Sequence, residues 1–481
     1  MSALFSPLVI RCATLPNRLV LPAMVTRLSG EDGHVNDDIR TRYVRFSKGG
    51  VGLVVLEAMA VHASKSGPLL RISDDAFVPD LSDLAKRCHD AGPGKVFPQI
   101  IHFLKISRSG WRQTVDMLGK DDIDAIVDAY GAAAARARRC GFDGVELHMA
   151  HAYTLSSFLS RLNARRDEYG GTLENRLRLP LRVVRRVREI VGEDFPVGVR
   201  FLGDECIRGG YTVLDAGPIA VRLAQAGVDY VSLSAGGKFE DARKIEGEPL
   251  YPYTGYSGDR CMPSAAYPDG ANLYIAQAVK QALRDEGLRT PVVAVGKIGT
   301  RELAEHVIES GQGDLVGMAR ALLADPDIPR KWETGRDDAV VRCVYGNVCK
   351  ALDENFKRVV CTLWPKKLGK APESDDVVPP EWPQAGAELT AHFDAGRVLL
   401  RWHAATDNEG VYGYQLMRAE VHASAGGIML HFASVRAGSL RYEDTRVVGG
   451  VTYRYAIRPY DLAGNRGRLT PSVEVCVPAE A

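Results

Sequence analysis

The 481-residue chain carries 61 Lys and Arg against 60 Asp and Glu, so no net field draws it to nucleic acid or to an anionic membrane surface. No apolar run reaches the roughly 20 residues a membrane helix needs, and no charged-then-apolar leader opens the chain. Nine cysteines are too sparse for a disulfide framework, so a cytoplasmic protein with reduced thiols and room for two or three domains is expected.

In chain order, the apolar runs are RLVLPAM (18–24), GLVVLEAM (52–59), VFPQIIH (96–102), GVELHM (144–149), PVGVRF (196–201), VDYVSLS (228–234), PVVAVG (291–296) and DLVGMAR (314–320). They are rich in Val, Leu and Ile without strict alternation, as strands buried on both faces must be. Amphipathic stretches such as DIDAIVDAYGAAAARARRCG and ENRLRLPLRVVRRVREIVG separate them. Eight strands, each followed by a helical pattern, predict an α/β chain folded as a (β/α)8 TIM barrel over residues 1–365, in preference to a doubly wound open sheet. Residues 366–386, rich in Pro, Gly and charge, read as a linker. Residues 387–481 then give short alternating strands with Asp, Asn and Gly turns, the pattern of a small all-β sandwich. This last region, with Trp402, Tyr453, Tyr455 and DLAGN, resembles a fibronectin type III domain and is expected to stabilise or dock rather than react.

A TIM barrel places its active site at the C-terminal ends of its strands. The residues there are Pro22 to Thr26, Gln99 and His102, then His148, His151 and Tyr153, then Arg200, and finally Gly296-Lys297 and Gly317 to Arg320. The loops after strands seven and eight are the usual phosphate site of this fold, and Arg320 offers a planar fork to such a group. Gln99 supplies an amide that donates and accepts, and Arg200 a fixed positive charge, a pair suited to an electron-rich flat heterocycle. The stretch ELHMAHAY (146–153) sets two histidines three residues apart. That spacing alone allows metal ligands, packing residues or a pair of donors, although no third ligand stands at a suitable distance in sequence.

The stretch GFDGVELHMAHAYTLSSFLSRLNARRDEYGGTLENRLR (141–178), with LPNRLVLPAM near the start and DLVGMARALLADPDIPRK near residue 320, strongly resembles the Old Yellow Enzyme family of flavin-dependent barrels. The likeness spans roughly residues 3–365 and is nearest to the branch that holds dienoyl-CoA reductase and trimethylamine dehydrogenase. It implies bound FMN, with Pro22, Ala23 and Met24 backing the flavin ring and Ala58 lining it. Gln99 and Arg200 would bond the pyrimidine edge, and Gly296, Gly317 and Arg320 the phosphate. Val25 falls where many members carry a Thr or Cys that tunes the flavin. His148 and His151 would grip a substrate carbonyl, and Tyr153 would be the proton donor.

Two departures stand out. Cys343, Cys349 and Cys361 match three of the four cluster ligands of the trimethylamine dehydrogenase spacing, but Gly346 holds the second position, so no metal site and no iron–sulfur cluster is expected. No strand–GxGxxG–helix unit follows residue 365, so electrons are expected from NADH or NADPH docked on the flavin, or from a separate protein. The long stretch 236–270 reads as a binding element, with Tyr251, Tyr253 and Tyr256 as an aromatic wall. The resemblance places Glu240 where dienoyl-CoA reductase carries a proton-delivering His, which implies a second acid.

The resemblance thus implies an FMN-dependent oxidoreductase that passes hydride from NADH or NADPH, through flavin N5, to an activated C=C bond of an unsaturated carbonyl or enoyl thioester. The alternative is an amine dehydrogenase or demethylase that passes electrons to an external carrier. A flavin-binding scaffold is a third reading, which the intact His148, His151 and Tyr153 set argues against. The expected partner is a small unsaturated substrate rather than nucleic acid or membrane. A homo-oligomer and an electron-transfer partner both remain open.

Overall fold

All eight apolar runs form parallel strands in the computed structural model. It describes residues 2–64, 67–105, 113–237, 258–364, 370–371, 374, 376–421 and 429–479. The strands are β1 (Leu19–Leu21), β2 (Leu53–Ala60), β3 (Lys95–Ile101), β4 (Val145–Met149), β5 (Val197–Asp204), β6 (Tyr230–Ala235), β7 (Val292–Val295) and β8 (Leu315–Gly317). Each pairs with its sequence neighbour, and β8 returns to pair with β1. The barrel is closed. Every residue of β2 and β5 is buried, which is why these runs are continuously apolar rather than alternating.

The helix Leu173–Val191 illustrates how the outer layer forms. Thr172 caps its start by accepting from the Asn175 amide, and Gly192 ends it at a φ of 72°, which a larger residue rarely adopts. Leu177, Leu181, Val184, Val187 and Val191 recur at three and four residues and are buried. Cutting Leu177 to Ala would cost about 2–5 kcal/mol through lost burial and the cavity left behind.

A hairpin that the sequence patterns did not single out, Leu8–Ile10 with Ala13–Leu15, precedes β1. Its Ile10, Ala13 and Leu15 join Leu53, Phe97, Tyr230, Val293 and Leu315 in one apolar cluster. These strand residues belong to the early part of each run, so the cluster plugs the N-terminal end of the barrel. Polar strand residues are therefore left to the opposite mouth.

The remaining unit comprises Arg336–Val341 and Ala371–Ala481. It holds β9 (Thr390–Asp394), β10 (Arg397–Arg401), β11 (Val411–Val421), β12 (Leu430–Arg436), β13 (Arg441–Asp444), β14 (Thr452–Asp461) and β15 (Val473–Cys476). They make two antiparallel sheets, β9-β10-β13 and β12-β11-β14-β15. Val398, Leu400, Trp402, Tyr414, Leu416, Tyr453, Tyr455 and Ile457 form the core. Trp382, inside the stretch read as a linker, stacks on Tyr414 at 5.9 Å, because its indole finds apolar cover there.

Candidate active site

The C-terminal mouth of the barrel holds a cavity of about 240 Å³. Pro22, Ala23, Met24 and Val25 after β1, Ala58 on β2, Gln99 on β3 and Arg200 on β5 all line it, as do His148, His151 and Tyr153. Gly296, Gly317 and Arg320 line the far side. Thr26 and His102, also at strand ends, turn away. Thr26 donates its amide and hydroxyl to the buried Glu57, at 3.0 and 2.6 Å. His102 pairs its Nδ1 with the Thr154 hydroxyl at 2.8 Å, and burial pushes its pKa down to about 3. Glu240, Tyr251, Tyr253 and Tyr256 lie outside the described residues.

The two histidines form a defined chain. His148 Nδ1 accepts from the Ala150 amide at 3.1 Å, so a neutral ring carries its proton on Nε2. That Nε2–H faces His151 Nδ1 at 3.3 Å, which leaves His151 Nε2–H to donate to the Ser234 hydroxyl at 2.7 Å. Burial, and next the charge of Arg200, lower the His148 pKa to about 3 and hold that of His151 well below its ordinary value. Both rings are neutral at pH 7, as this tautomer chain requires. His151 and Ala152 take φ values of 59° and 61°, a left-handed pair that turns the chain back after β4. Gly237 makes the turn possible: a Cβ there would lie 2.9 Å from His151 Cα.

That turn brings the Tyr153 ring to 5.2 Å from His148, edge to face. Its hydroxyl makes no hydrogen bond among the described residues. Although the side chain stays 37 % exposed through the mouth, the surrounding protein raises its pKa, chiefly by desolvation and then by Asp353. The phenol is therefore protonated at neutral pH.

Gln99 and Arg200 share a layer of polar contacts. Gln99 Nε2 donates to Glu146 Oε1 at 2.7 Å, and Arg200 Nη1 donates to the Ala23 carbonyl at 2.9 Å. Arg200 Nε is buried with no partner among the described residues. Glu146 escaped the strand-end reasoning because it lies within β4, yet an acidic residue inside an all-buried strand was the signal that could have found it.

At the far side, Arg320 donates to the Pro263 carbonyl and to Asn347 Oδ1, both at 2.6 Å, and lies over the Tyr345 ring. Gly296 adopts a φ of 125°, and a Cβ there would lie 2.7 Å from Asn272 Cβ. A Cβ on Gly317 would meet Val295 at 2.7 Å. Close packing thus demands both glycines, independently of any ligand.

Cys343, Cys349 and Cys361 are free thiols, each with a pKa raised mainly by burial. The Tyr345 amide donates to Cys343 Sγ at 3.4 Å. A Cβ on Gly346 would meet nothing within 4 Å among the described residues, so no neighbour fills the place of the side chain that the glycine lacks. A cubane cluster takes four thiolates, and this segment supplies three, so the residues present do not fit it.

Comparison with known proteins agrees with this arrangement. The chain is 34 % identical over 417 residues to the NADH oxidase of Thermoanaerobacter brockii, covering 80 % of this chain and 60 % of that protein. It is 33 % identical over 342 residues to an NADPH dehydrogenase of Geobacillus sp. strain WCH70, covering 68 % of this chain and 92 % of the relative. A solved 2-naphthoyl-CoA reductase superimposes with a TM-score of 0.65 at 23 % identity, over 76 % of this chain and 57 % of that one, a likeness of fold. The family description "NADH:flavin oxidoreductase / NADH oxidase family" matches residues 3–246 and 265–339. The barrel, with its strand-end residues gathered around one cavity, belongs to that Old Yellow Enzyme-like family.

Proposed function

We propose that the cavity binds FMN and that the protein transfers hydride from NADH or NADPH to the activated C=C bond of an α,β-unsaturated carbonyl compound or enoyl thioester. The observation that carries this reading is the pair Gln99 and Arg200. With its NH2 end bonded to Glu146, Gln99 keeps its oxygen as an acceptor, and Arg200, lining the same cavity, keeps a buried N–H without a partner among the described residues. An acceptor next to cationic donors fits the imide edge of a flavin. Pro22, Ala23, Met24 and Ala58 would cover its ring, while Arg320, with the Gly296 and Gly317 segments, would hold the phosphate.

The chemistry FMN supplies when bound is acceptance and donation of hydride. The chain's own residues do the rest. His148 and His151 each own one N–H, now spent on His151 and Ser234; turned to the cavity, the two would hold a carbonyl oxygen and polarise the alkene. Tyr153, protonated and without a competing partner, would deliver a proton to the alkene carbon. Val25 adds apolar surface and no hydrogen bond. NAD(P)H would dock directly in the same mouth. The β unit is read as a stabilising or docking appendage of fibronectin type III kind.

Anaerobic mixing with NADH or NADPH tests the proposal. The expected outcome is a yellow protein that releases one FMN per chain on acid precipitation, bleaches with either nucleotide and recolours with a cyclic enone. Bleaching by a secondary or tertiary amine instead of NAD(P)H would favour amine oxidation, and a protein that takes up no FMN would sink both readings.

A further inference from the structure

Glu146 stands two residues before His148 on β4, and alternation puts both side chains on the barrel's inner face. It is 1 % exposed and lies beneath the cavity lining rather than in it. Oε1 accepts from Gln99 at 2.7 Å and Oε2 from the Tyr230 hydroxyl at 2.8 Å. Tyr230 reaches it because Gly198 on β5 has no side chain: a Cβ there would lie 2.0 Å from the ring. An ionised carboxylate in a barrel interior costs several kcal/mol unless its oxygens are satisfied and a countercharge is near. Burial raises the Glu146 pKa, and against that Arg200 acts through space while two neutral donors fill both oxygens. Packing alone does not call for this group, since the layer below is filled by Val55, Phe97 and Leu315.

We propose that Glu146 is a positioning residue of the flavin site: it fixes the Gln99 amide with its oxygen toward the cavity and balances the charge of Arg200. The proposal rests on the FMN reading above. A primary amide can present either end, and a carboxylate accepts only, so the contact with Glu146 decides which end Gln99 shows to a ligand. The same negative charge opposes added electron density on the ring edge beside Arg200. Removing it favours the reduced flavin.

Two variants separate these roles. Glu146→Gln keeps the shape, since its oxygen can accept from Gln99 and its NH2 can donate to the Tyr230 oxygen, but it loses the charge. Glu146→Leu loses both. FMN dissociation constants from fluorescence quenching and midpoint potentials from anaerobic dye equilibration are the readouts. Glu146→Leu is expected to weaken FMN binding by roughly tenfold or more, because Gln99 is no longer held in one orientation. Glu146→Gln is expected to keep the affinity within about threefold while raising the potential of the bound flavin. A merely structural role would lower thermal stability and leave affinity and potential unmoved, which would overturn the proposal. If Glu146→Leu fails to fold, an unchanged potential in Glu146→Gln is enough to reject it. Wild-type protein that binds no FMN defeats the flavin reading itself; wild type that binds FMN with both variants unchanged defeats this proposal alone.

Discussion

Each unit buries a carboxylate that meets a tyrosine, and the two finish differently. In the β unit, Asp444 is 0 % exposed and accepts from Arg418 at 2.8 Å, Tyr455 at 3.0 Å and the Arg446 amide at 3.0 Å. Its cation is bonded directly, and the network closes on itself. In the barrel, Glu146 takes Tyr230 and Gln99, while Arg200 stays in the cavity wall with an N–H to spare. Closed, a buried polar network fixes a fold; left open by one donor and one acceptor, it becomes a place for a ligand.

The largest effect expected from this contrast is chemical and confined to the barrel. Tyr153→Phe should slow reoxidation of the reduced protein by an enone about 10²–10⁴-fold, the usual contribution of a positioned acid, and leave bleaching by NAD(P)H unchanged. Stopped-flow traces of the two half-reactions check it; a slowed reductive half alone would turn the assignment toward amine oxidation.

Next in size is a purely structural loss in the other unit. Asp444→Ala leaves Arg418 without its buried partner and is expected to cost about 3 kcal/mol, read as an earlier urea transition. FMN affinity should not move. A change in affinity would break the contrast drawn between the two networks.

Acid should separate the units less sharply. The pKa of His62 is lowered to about 4, those of His102 and His148 to about 3, and that of His151 well below its ordinary value, each mainly by burial. The unfolded chain then binds protons that the barrel refuses, so their stability is present above pH ~6.5 and is lost as pH falls below it, at up to ~1.4 kcal/mol per pH unit per group. Glu205, pushed up to about 7 by burial, runs the other way, as do the raised Glu57 and Glu146, but the four histidines outnumber them. In the β unit, burial raises the Asp461 pKa to about 6, so its strain is relieved as pH falls through that value, against the exposed His431. Calorimetry at pH 7 and pH 5 should lower the barrel transition more than the β transition. Equal shifts would contradict the assignment.

The smallest effect on stability is expected at Gly346, where Cys would enter open space and change stability by less than about 0.5 kcal/mol. Anaerobically purified wild type should lack stoichiometric iron and sulfide, and Gly346→Cys should gain them. About four of each in the wild type would overturn this reading of the three thiols.

Much of the barrel was legible in the sequence. The eight apolar runs are the eight strands because a strand covered on both faces has no polar alternation to confuse its reading. Most of the residues at their ends, Thr26 and His102 excepted, surround one cavity because barrel closure brings all strand ends to one rim. The hairpin Leu8–Ile10 with Ala13–Leu15 was not legible, since three-residue strands carry too little periodicity to stand out.

Sequence by itself thus determined the strand order, the polar mouth and the family, all properties of local pattern and position along each strand. Only the tertiary structure decided who bonds to whom. Glu146 meets Gln99 across 47 residues and Tyr230 across 84, and His151 meets Ser234 across 83. Hydrogen bonds depend on angles and distances of a few tenths of an ångström, which barrel closure and the side chain missing at Gly198 set, and which no periodicity encodes.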